Sequence, residues 1–196
     1  MPSSLSPGYT CAVALAAVLT AVVCVSGDTA VQLARTRLGR ALADNLTHGT
    51  VSGLCWTVSG GLLHPHMRRN LGGRLPAALE VVVAMLVAMG MDADHFIMAW
   101  SANLSDATAL GSRPFAHSLV FIAMAAYLAY VTVRWPLRKL PLRPVRVAAL
   151  VAVALGSHQL RDATRRGLLL WPPISTPAIP YNAYVATTAL LPVVLL

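Results

Sequence analysis

The sequence predicts an all-α fold in which one bundle of hydrophobic helices is embedded in a membrane. Hydrophobic residues make up 57% of the 196 residues and charged residues only 11%, so the chain is more apolar than a soluble domain needs to be. Apolar runs near the length that a bilayer demands recur along the whole chain. Because no long linker interrupts these runs, residues 1–196 are predicted to form a single multi-pass membrane domain.

Six apolar segments predict six transmembrane helices, at residues 10–27, 43–63, 76–95, 115–134, 146–163 and 179–196. Gly and Ser interrupt the second segment, and His, Gln, Arg and Asp enter the end of the fifth. Four to five transmembrane helices with re-entrant pieces are therefore the alternative. Proline residues mark the links before the fifth and sixth helices. The first segment has a second interpretation as a signal peptide, although it lacks the usual basic start.

The formal net charge of +8 comes almost entirely from arginines, which lie in the short links between apolar segments. This distribution is typical of membrane loops. Nucleic-acid binding would require a basic face with aromatic or helical readers, so nucleic acid is excluded as an expected partner. Membrane lipids are the expected partners, and protein partners stay undetermined. The three cysteines lack C-x-x-C spacing and predict neither a disulfide framework nor a thiolate metal site.

Most of the acids and histidines fall into four short groups at the ends of predicted helices. The groups are Asp44–His48, Asp92–His95, Arg113–Ser118 and Ser157–Asp162. An ionisable side chain at membrane depth is costly, so each group marks a candidate site. Asp44 and His48 are four residues apart and share one helix face, and the same holds for His158 and Asp162.

Topology predicts that the four groups meet on one side of the membrane. The first group opens the second helix, the second closes the third, the third opens the fourth and the last closes the fifth. His48 and His158 would lie about one turn deeper, roughly 6 Å, than Asp44 and Asp162. A layer of imidazoles beneath a layer of carboxylates indicates a shared site near the membrane surface.

Imidazole and carboxylate together favour Zn, Mn or Fe over Ca, so a divalent metal ion is the expected cofactor. The residues expected to bind it are Asp92, His95, His117, His158 and His48. Three further carboxylates are expected to supply a general base or to orient the ligands; they are Asp44, Asp94 and Asp162. The number of residues would serve either one ion with an outer shell or two ions.

Arginines flank the mouth of the predicted site. Arg113, Arg165 and Arg166 are expected to bind a phosphate or another anionic group, because guanidinium matches such groups in shape and charge. Their alternative role is that of helix-end residues whose charged tips reach the membrane surface.

Slightly more arginine and lysine residues lie in the loops on the side opposite the site. The positive-inside rule therefore favours cytosolic termini, with the site facing the lumen or the exterior. The endoplasmic reticulum or another endomembrane is the expected location, and a glycosylation sequon at Asn103 lies on that side. His64 and His66 fall on the opposite side and are predicted to lie in a solvated loop. Asp28 and Glu80 have no partner at motif spacing.

At these motifs the chain resembles the transmembrane protein 267 family. The resemblance rests on Ala41–His48, Met91–Phe96, Arg113–His117 and Ser157–Asp162, with Arg166–Leu168 following. It runs from about Leu38 to the C-terminus.

More distantly, the acid and histidine groups resemble the signature of predicted bacterial membrane-bound metal-dependent hydrolases. The segments that carry this likeness are Asp92–His95, His117–Ser118 and Ser157–Pro172. The resemblance implies metal-dependent hydrolysis. In that pattern a His-Arg pair precedes a Thr-His-Ser, whereas Ser112-Arg113 and Ala116-His117-Ser118 stand here, so one expected ligand is missing.

These observations lead to the hypothesis of a metal-dependent membrane hydrolase that acts on a lipid-like or phosphate-bearing substrate. Two non-enzymatic alternatives remain. The same residues would suit the proton or metal-ion pathway of a small transporter, which needs a continuous polar path across the membrane. They would also suit a polar network that locks helices together in a structural or assembly protein.

Overall fold

The computed structural model describes residues 7–63, 68–69 and 74–194, without the side chains of 191–194. In chain order the helices are α1 (Pro7–Leu33), α2 (Arg37–Ser59), α3 (Ala77–Gly90), α4 (Ala93–Ala99), α5 (Leu104–Ala107), α6 (Leu119–Arg134), α7 (Pro144–Arg166) and α8 (Tyr181–Val194). A 3-10 turn spans Phe115–His117, and the strands β1 (Leu169–Trp171) and β2 (Ile174–Ser175) form an antiparallel hairpin. The predicted all-α class is confirmed. The loop predicted around His64 and His66 lies outside the described residues.

Each of the six predicted membrane segments coincides largely with a helix, but the count of six membrane crossings stays a prediction. Within the described residues, two stretches are long and apolar enough to cross a membrane, Pro7–Leu33 and Ala77–Ala99. The helix Leu119–Arg134 is apolar but shorter. The helices α2 and α7 miss this test because polar and charged residues enter them, and these are the residues that build the site.

The exterior of the bundle is apolar and part of its interior is polar. Leu15, Val18 and Val22 of α1 are each about half exposed, whereas His158 and Gln159 of α7 are fully buried. Apolar side chains on the outside face lipid without penalty, and polar side chains inside can hydrogen-bond between helices. The arrangement is typical of a helix bundle embedded in a membrane.

The helix α2 lies at the centre of the bundle, where it packs against α1, α3, α7 and α8. Glycines allow close approach along it. A Cβ atom at Gly49 would come within 2.8 Å of Met89, and one at Gly53 within 2.9 Å of Met85. Small residues at such positions let helix backbones pack closely in membranes. This packing brings α2 and α3 together below the segment that carries the candidate site.

A buried ion pair joins the other ends of α2, α3 and α7. Arg146 Nη2 donates to Glu80 Oε2 at 2.5 Å, and Trp56 Nε1 donates to the same oxygen at 3.2 Å. Arg146 also donates to the Gly60 carbonyl at 3.0 Å and lies 5.0 Å from the centre of the Trp56 ring. Glu80 has no partner at motif spacing because Arg146 is 66 residues away in the sequence.

We expect Arg146→Ala to lower the free energy of unfolding by about 1.5–3 kcal/mol, because it removes the guanidinium that donates to the buried Glu80 carboxylate and leaves only Arg68, whose Nη2 lies 3.6 Å from Glu80 Oε1. The matched control is Arg143→Ala, which removes an exposed arginine just before the same helix. Denaturant unfolding in detergent measures both effects. Equal free energies of unfolding for the two variants would show that the buried ion pair does not stabilise the protein more than an exposed arginine does.

Candidate metal centre

Four segments deliver acid and histidine side chains to one end of the bundle. The middle of α2 carries His48, and Asp92 and Asp94 lie at the start of α4. The 3-10 turn carries His117, and the second half of α7 carries His158. The described residues contain three overlapping groups whose ligand atoms lie within 4.8 Å of one another: His48, His158, Asp162; Asp92, His117, His158; and Asp94, His95, His117. The structure therefore brings seven of the predicted residues into one centre.

In the middle of this cluster of acids and histidines, two imidazole nitrogens face two carboxylate oxygens. His117 Nε2 lies 3.5 Å from both Asp92 Oδ1 and Asp162 Oδ2. His158 Nε2 lies 3.4 Å from Asp92 Oδ1 and 3.9 Å from Asp162 Oδ2. Neither Nε2 atom has a hydrogen-bond partner among the described residues, and both rings are fully buried. We call Asp92, His117, His158 and Asp162 the central cage.

The spacing of the central cage fits a tetrahedral metal ion. Zinc bonds of about 2.0–2.2 Å to nitrogen and oxygen separate adjacent ligand atoms by about 3.3–3.6 Å. The observed nitrogen-to-oxygen separations of 3.4–3.9 Å equal or slightly exceed this range. A small contraction along these four separations would bring them to the spacing found around a bound ion.

Hydrogen bonds at the far sides of both rings aim their lone pairs into the cage. His158 Nδ1 lies 2.9 Å from the Ala88 carbonyl oxygen, which can only accept, so Nδ1 donates and Nε2 carries the lone pair of the neutral ring. His117 Nδ1 lies 3.1 Å from Asp94 Oδ2, which has the same consequence. Partners of this kind orient histidine ligands in metal proteins.

Asp94 and His95 form the outer edge of the centre. Asp94 lies between the two rings, with Oδ1 2.9 Å from His95 Nδ1 and Oδ2 bonded to His117. His95 is 28% exposed, whereas His117 is fully buried. His95 Nδ1 is 4.0 Å from the cage oxygen of Asp92. The His95–Asp94 pair therefore connects the cage with the surface.

The segment that carries His117 is held in place by α7. The Gln159 side chain donates to the His117 carbonyl, and Arg113 Nη2 donates to Gln159 Oε1 at 3.1 Å. Arg113 Nη1 also donates to the Gly167 carbonyl at 2.7 Å. Ser118 Oγ accepts from the Phe121 backbone and so caps the start of α6. Arg113 was predicted to bind substrate, and in the structure it helps to hold the segment that contains His117. The sequence analysis did not predict the role of Gln159.

The hairpin after α7 adds a second support that the sequence analysis missed. Leu169 of β1 forms a bridge with Ser118, next to His117. Gly167 begins this excursion with φ +76°, and a Cβ there would collide with the Thr176 carbonyl, so glycine is required. Strands of two or three residues among prolines carry too little hydropathy pattern to be predicted.

Arg161 forms a second, arginine-centred group beside the cage. It is 2% exposed, and its Nη2 donates to Asp28 Oδ1 at 2.5 Å. Its Nη1 donates to Asp44 Oδ1 and lies 3.0 Å from His48 Nε2. Asp44 is bound in addition by Arg165, at 3.0 and 3.1 Å. The carboxylate of Asp44 is therefore engaged by arginines rather than aimed at the cage.

An open cleft of about 490 Å³ leads from the surface to the centre. Its apolar wall includes Leu38, Leu42, Phe96, Leu104 and Leu110. Its polar lining includes Asp44, Asp92, His95, Arg113, Asp162, Arg165 and Arg166. Arg165 and Arg166 are exposed at the rim. The cleft thus offers apolar, basic and acidic surfaces to one bound molecule.

Comparison with known proteins identifies the family. The family described as "YdjM inner membrane protein" matches residues 44–195, which include every residue of the central cage. The chain belongs to the YdjM inner membrane protein family.

Relatives of this YdjM-family chain include proteins named "Transmembrane protein 267". The one from Mus musculus is 33% identical over 160 residues, which cover 78% of this chain and 66% of the relative. The relatives from Xenopus laevis and Danio rerio are each 31% identical to this chain, and the alignments cover 66% and 64% of their lengths. The chain thus spans slightly less than two thirds of these relatives. No solved structure matches it. The resemblance to transmembrane protein 267 and the assignment to a membrane are confirmed.

Proposed function

We propose that this YdjM-family chain is a metal-dependent hydrolase whose metal ion is held by the central cage. The observation that carries the proposal is the pair of buried Nε2 atoms, of His117 and His158, which find no hydrogen-bond partner in the described part of the chain. A buried polar atom without a partner is costly, and a bound ion would remove that cost. The spacing favours zinc, while Mn and Fe accept the same donors.

The residues around the cage have separate roles in this proposal. A divalent ion there would supply Lewis acidity toward a carbonyl or phosphoryl oxygen and would acidify a water molecule. Asn45 donates to Asp92 Oδ2 at 3.3 Å and leaves Oδ1 for the cage. His95 lines the cleft and lies 2.9 Å from Asp94, so it is the group best located to accept and release protons.

The cleft supports an amphiphilic, phosphate-bearing substrate. Its apolar wall suits an acyl or isoprenoid chain, and the exposed guanidinium group of Arg166 at the rim suits a phosphate. Arg165 beside it is already bonded to Asp44 through two nitrogens. Asp162 Oδ2 already accepts from Arg113 Nη2 at 3.4 Å. The carboxylate of Asp92 has no arginine bonded to it among the described residues and would repel an anion unless a cation neutralised it. A metal ion in the cage would therefore help to bind the substrate as well.

A hydrolytic site explains the arrangement better than the two alternatives. A network that only locks helices would satisfy its own hydrogen bonds, whereas two ring nitrogens of the cage form no hydrogen bond within the described residues. A transport path would need polar groups across the bundle. Between the cage and the buried Glu80–Arg146 pair, α2, α3 and α7 share an apolar cluster around Trp56 and Leu150.

The direct test is hydrolysis by the purified protein of two amphiphiles with the same chain, one with a phosphate ester and one with a neutral ester. We expect cleavage of the phosphate ester to stop with a chelator and to return with Zn or Mn. His117→Ala and His158→Ala should lose both metal and activity and keep their helix content. The control is Asp106→Ala, an exposed acid outside the cage. Wild-type activity in both histidine variants would refute the proposal.

We expect Asp94→Asn to weaken metal binding by about 10–100-fold, because the carboxylate that orients His117 is lost. Competition with a coloured chelator measures the affinity. Asp106→Asn makes the same chemical change at an exposed position and should leave the affinity unchanged. An unaltered affinity in Asp94→Asn would mean that Asp94 does not orient the ligand.

We propose further that the centre faces the lumen of an endomembrane. The sequon residues Asn103 and Ser105 are exposed beside α5, on the same side as the cleft residue Leu104. The full chain expressed in animal cells should lose mass on treatment with a glycosidase. Asn103→Gln and Ser105→Ala should both abolish that loss. Labelling of a cysteine at position 103 by a reagent confined to the cytosol would contradict this orientation.

A further inference from the structure

Arg161 lies where a two-metal site would hold its second ion. We infer that its guanidinium takes the place of that ion and limits the centre to one metal per chain. The inference rests on the proposed function, since it concerns the number of ions beside the central cage. It also assigns a role to Asp28 and Asp44, which the cage does not use.

The groups around Arg161 are the donors that a divalent metal ion takes. Asp28 and Asp44 supply carboxylate oxygens, and His48 supplies Nε2. The distance from Arg161 Nη2 to Asp28 Oδ1 is 2.5 Å, and that from Arg161 Nη1 to His48 Nε2 is 3.0 Å. All three come from the first two helices. Hard oxygen donors with one imidazole form a common ligand set for Zn, Mn and Fe.

The cage and the Arg161 group are in direct contact, as neighbouring sites for two ions are. His48 Nε2 lies 3.5 Å from Asp162 Oδ1, while Asp162 Oδ2 faces the cage. The His48 and His158 rings are stacked with their centres 3.7 Å apart. Asp162 thus offers one oxygen to each side, which is how a carboxylate bridges two ions about 3.5–4 Å apart.

Arg161 blocks that second position in two ways. The His48 Nε2 atom that an ion would need already accepts from Arg161 Nη1 at 3.0 Å. A guanidinium keeps its charge in proteins, so a dication next to it would be repelled in a medium of low dielectric constant. With Arg161 and Arg165 in place, the two carboxylates of Asp28 and Asp44 are matched by two positive charges.

Removal of the guanidinium should open the second position. Arg161→Gln would free His48 Nε2 and would leave Asp28 and Asp44 with one positive charge between them. A buried carboxylate without a counter-charge favours binding of a cation. Arg161→Lys keeps the positive charge and should keep the position closed.

The test is the number of zinc or manganese ions per chain, measured by elemental analysis after loading the purified full chain and removing excess metal. We expect one ion in the wild type and in Arg161→Lys, and two in Arg161→Gln. Arg166→Gln is the matched control, since it removes an exposed arginine of the same helix and should retain one ion.

Two ions in the wild type, or one ion in a folded Arg161→Gln, would overturn the inference and leave the hydrolase proposal standing. No ion in the wild type would overturn both. Because Arg161→Gln also breaks a buried ion pair, the wild type provides a test that does not depend on that variant. The electron paramagnetic resonance spectrum of its manganese form should be that of isolated ions, and a spectrum of coupled ion pairs would overturn the inference.

Discussion

The pairing of buried imidazoles with carboxylates is the interaction on which this end of the bundle depends. Ionisable side chains among apolar helices are stable only when each finds a partner. Asp94 and the Ala88 carbonyl meet this need on the outer sides of His117 and His158. The inner Nε2 atoms lie 3.4–3.9 Å from carboxylate oxygens and form no hydrogen bond in the part of the chain that the structure describes. The proposed metal centre rests on this difference between the outer and the inner nitrogen atoms.

The two ends of the bundle show how differently the same chemistry can be used. At one end, Glu80 is bound by Arg146 and Trp56 and forms a closed, buried pair. At the other end, Asp92 and Asp162 face imidazoles and open onto the cleft. A closed pair stabilises helix packing, whereas an open set of donors is available for binding. The family assignment covers this open set, because the matched segment begins at Asp44 and extends beyond α7.

The sequence was sufficient to predict the helices and to predict that the acid and histidine groups lie at one end of the bundle, because both follow from local patterns. Asp92, His117 and His158 lie at helix ends, and an up-and-down path puts those ends together. The sequence could not predict contacts between residues that are far apart in the chain. Asp28 and Arg161 are 133 residues apart, and no spacing rule connects them. The sequence also could not predict which acids and histidines belong to the cage and which bind Arg161. That division depends on distances such as those from Arg161 to His48 and Asp44.

The central claim is that two histidines and two aspartates hold one metal ion. X-ray absorption at the edge of zinc bound to the wild-type protein tests it most directly, because outer-shell scattering counts the imidazoles. The account predicts two imidazoles together with carboxylate oxygens at about 2.0–2.2 Å, and no sulfur. Three or more imidazoles, which would draw in His48 or His95, would contradict the assignment. A spectrum without imidazole would contradict the metal centre itself.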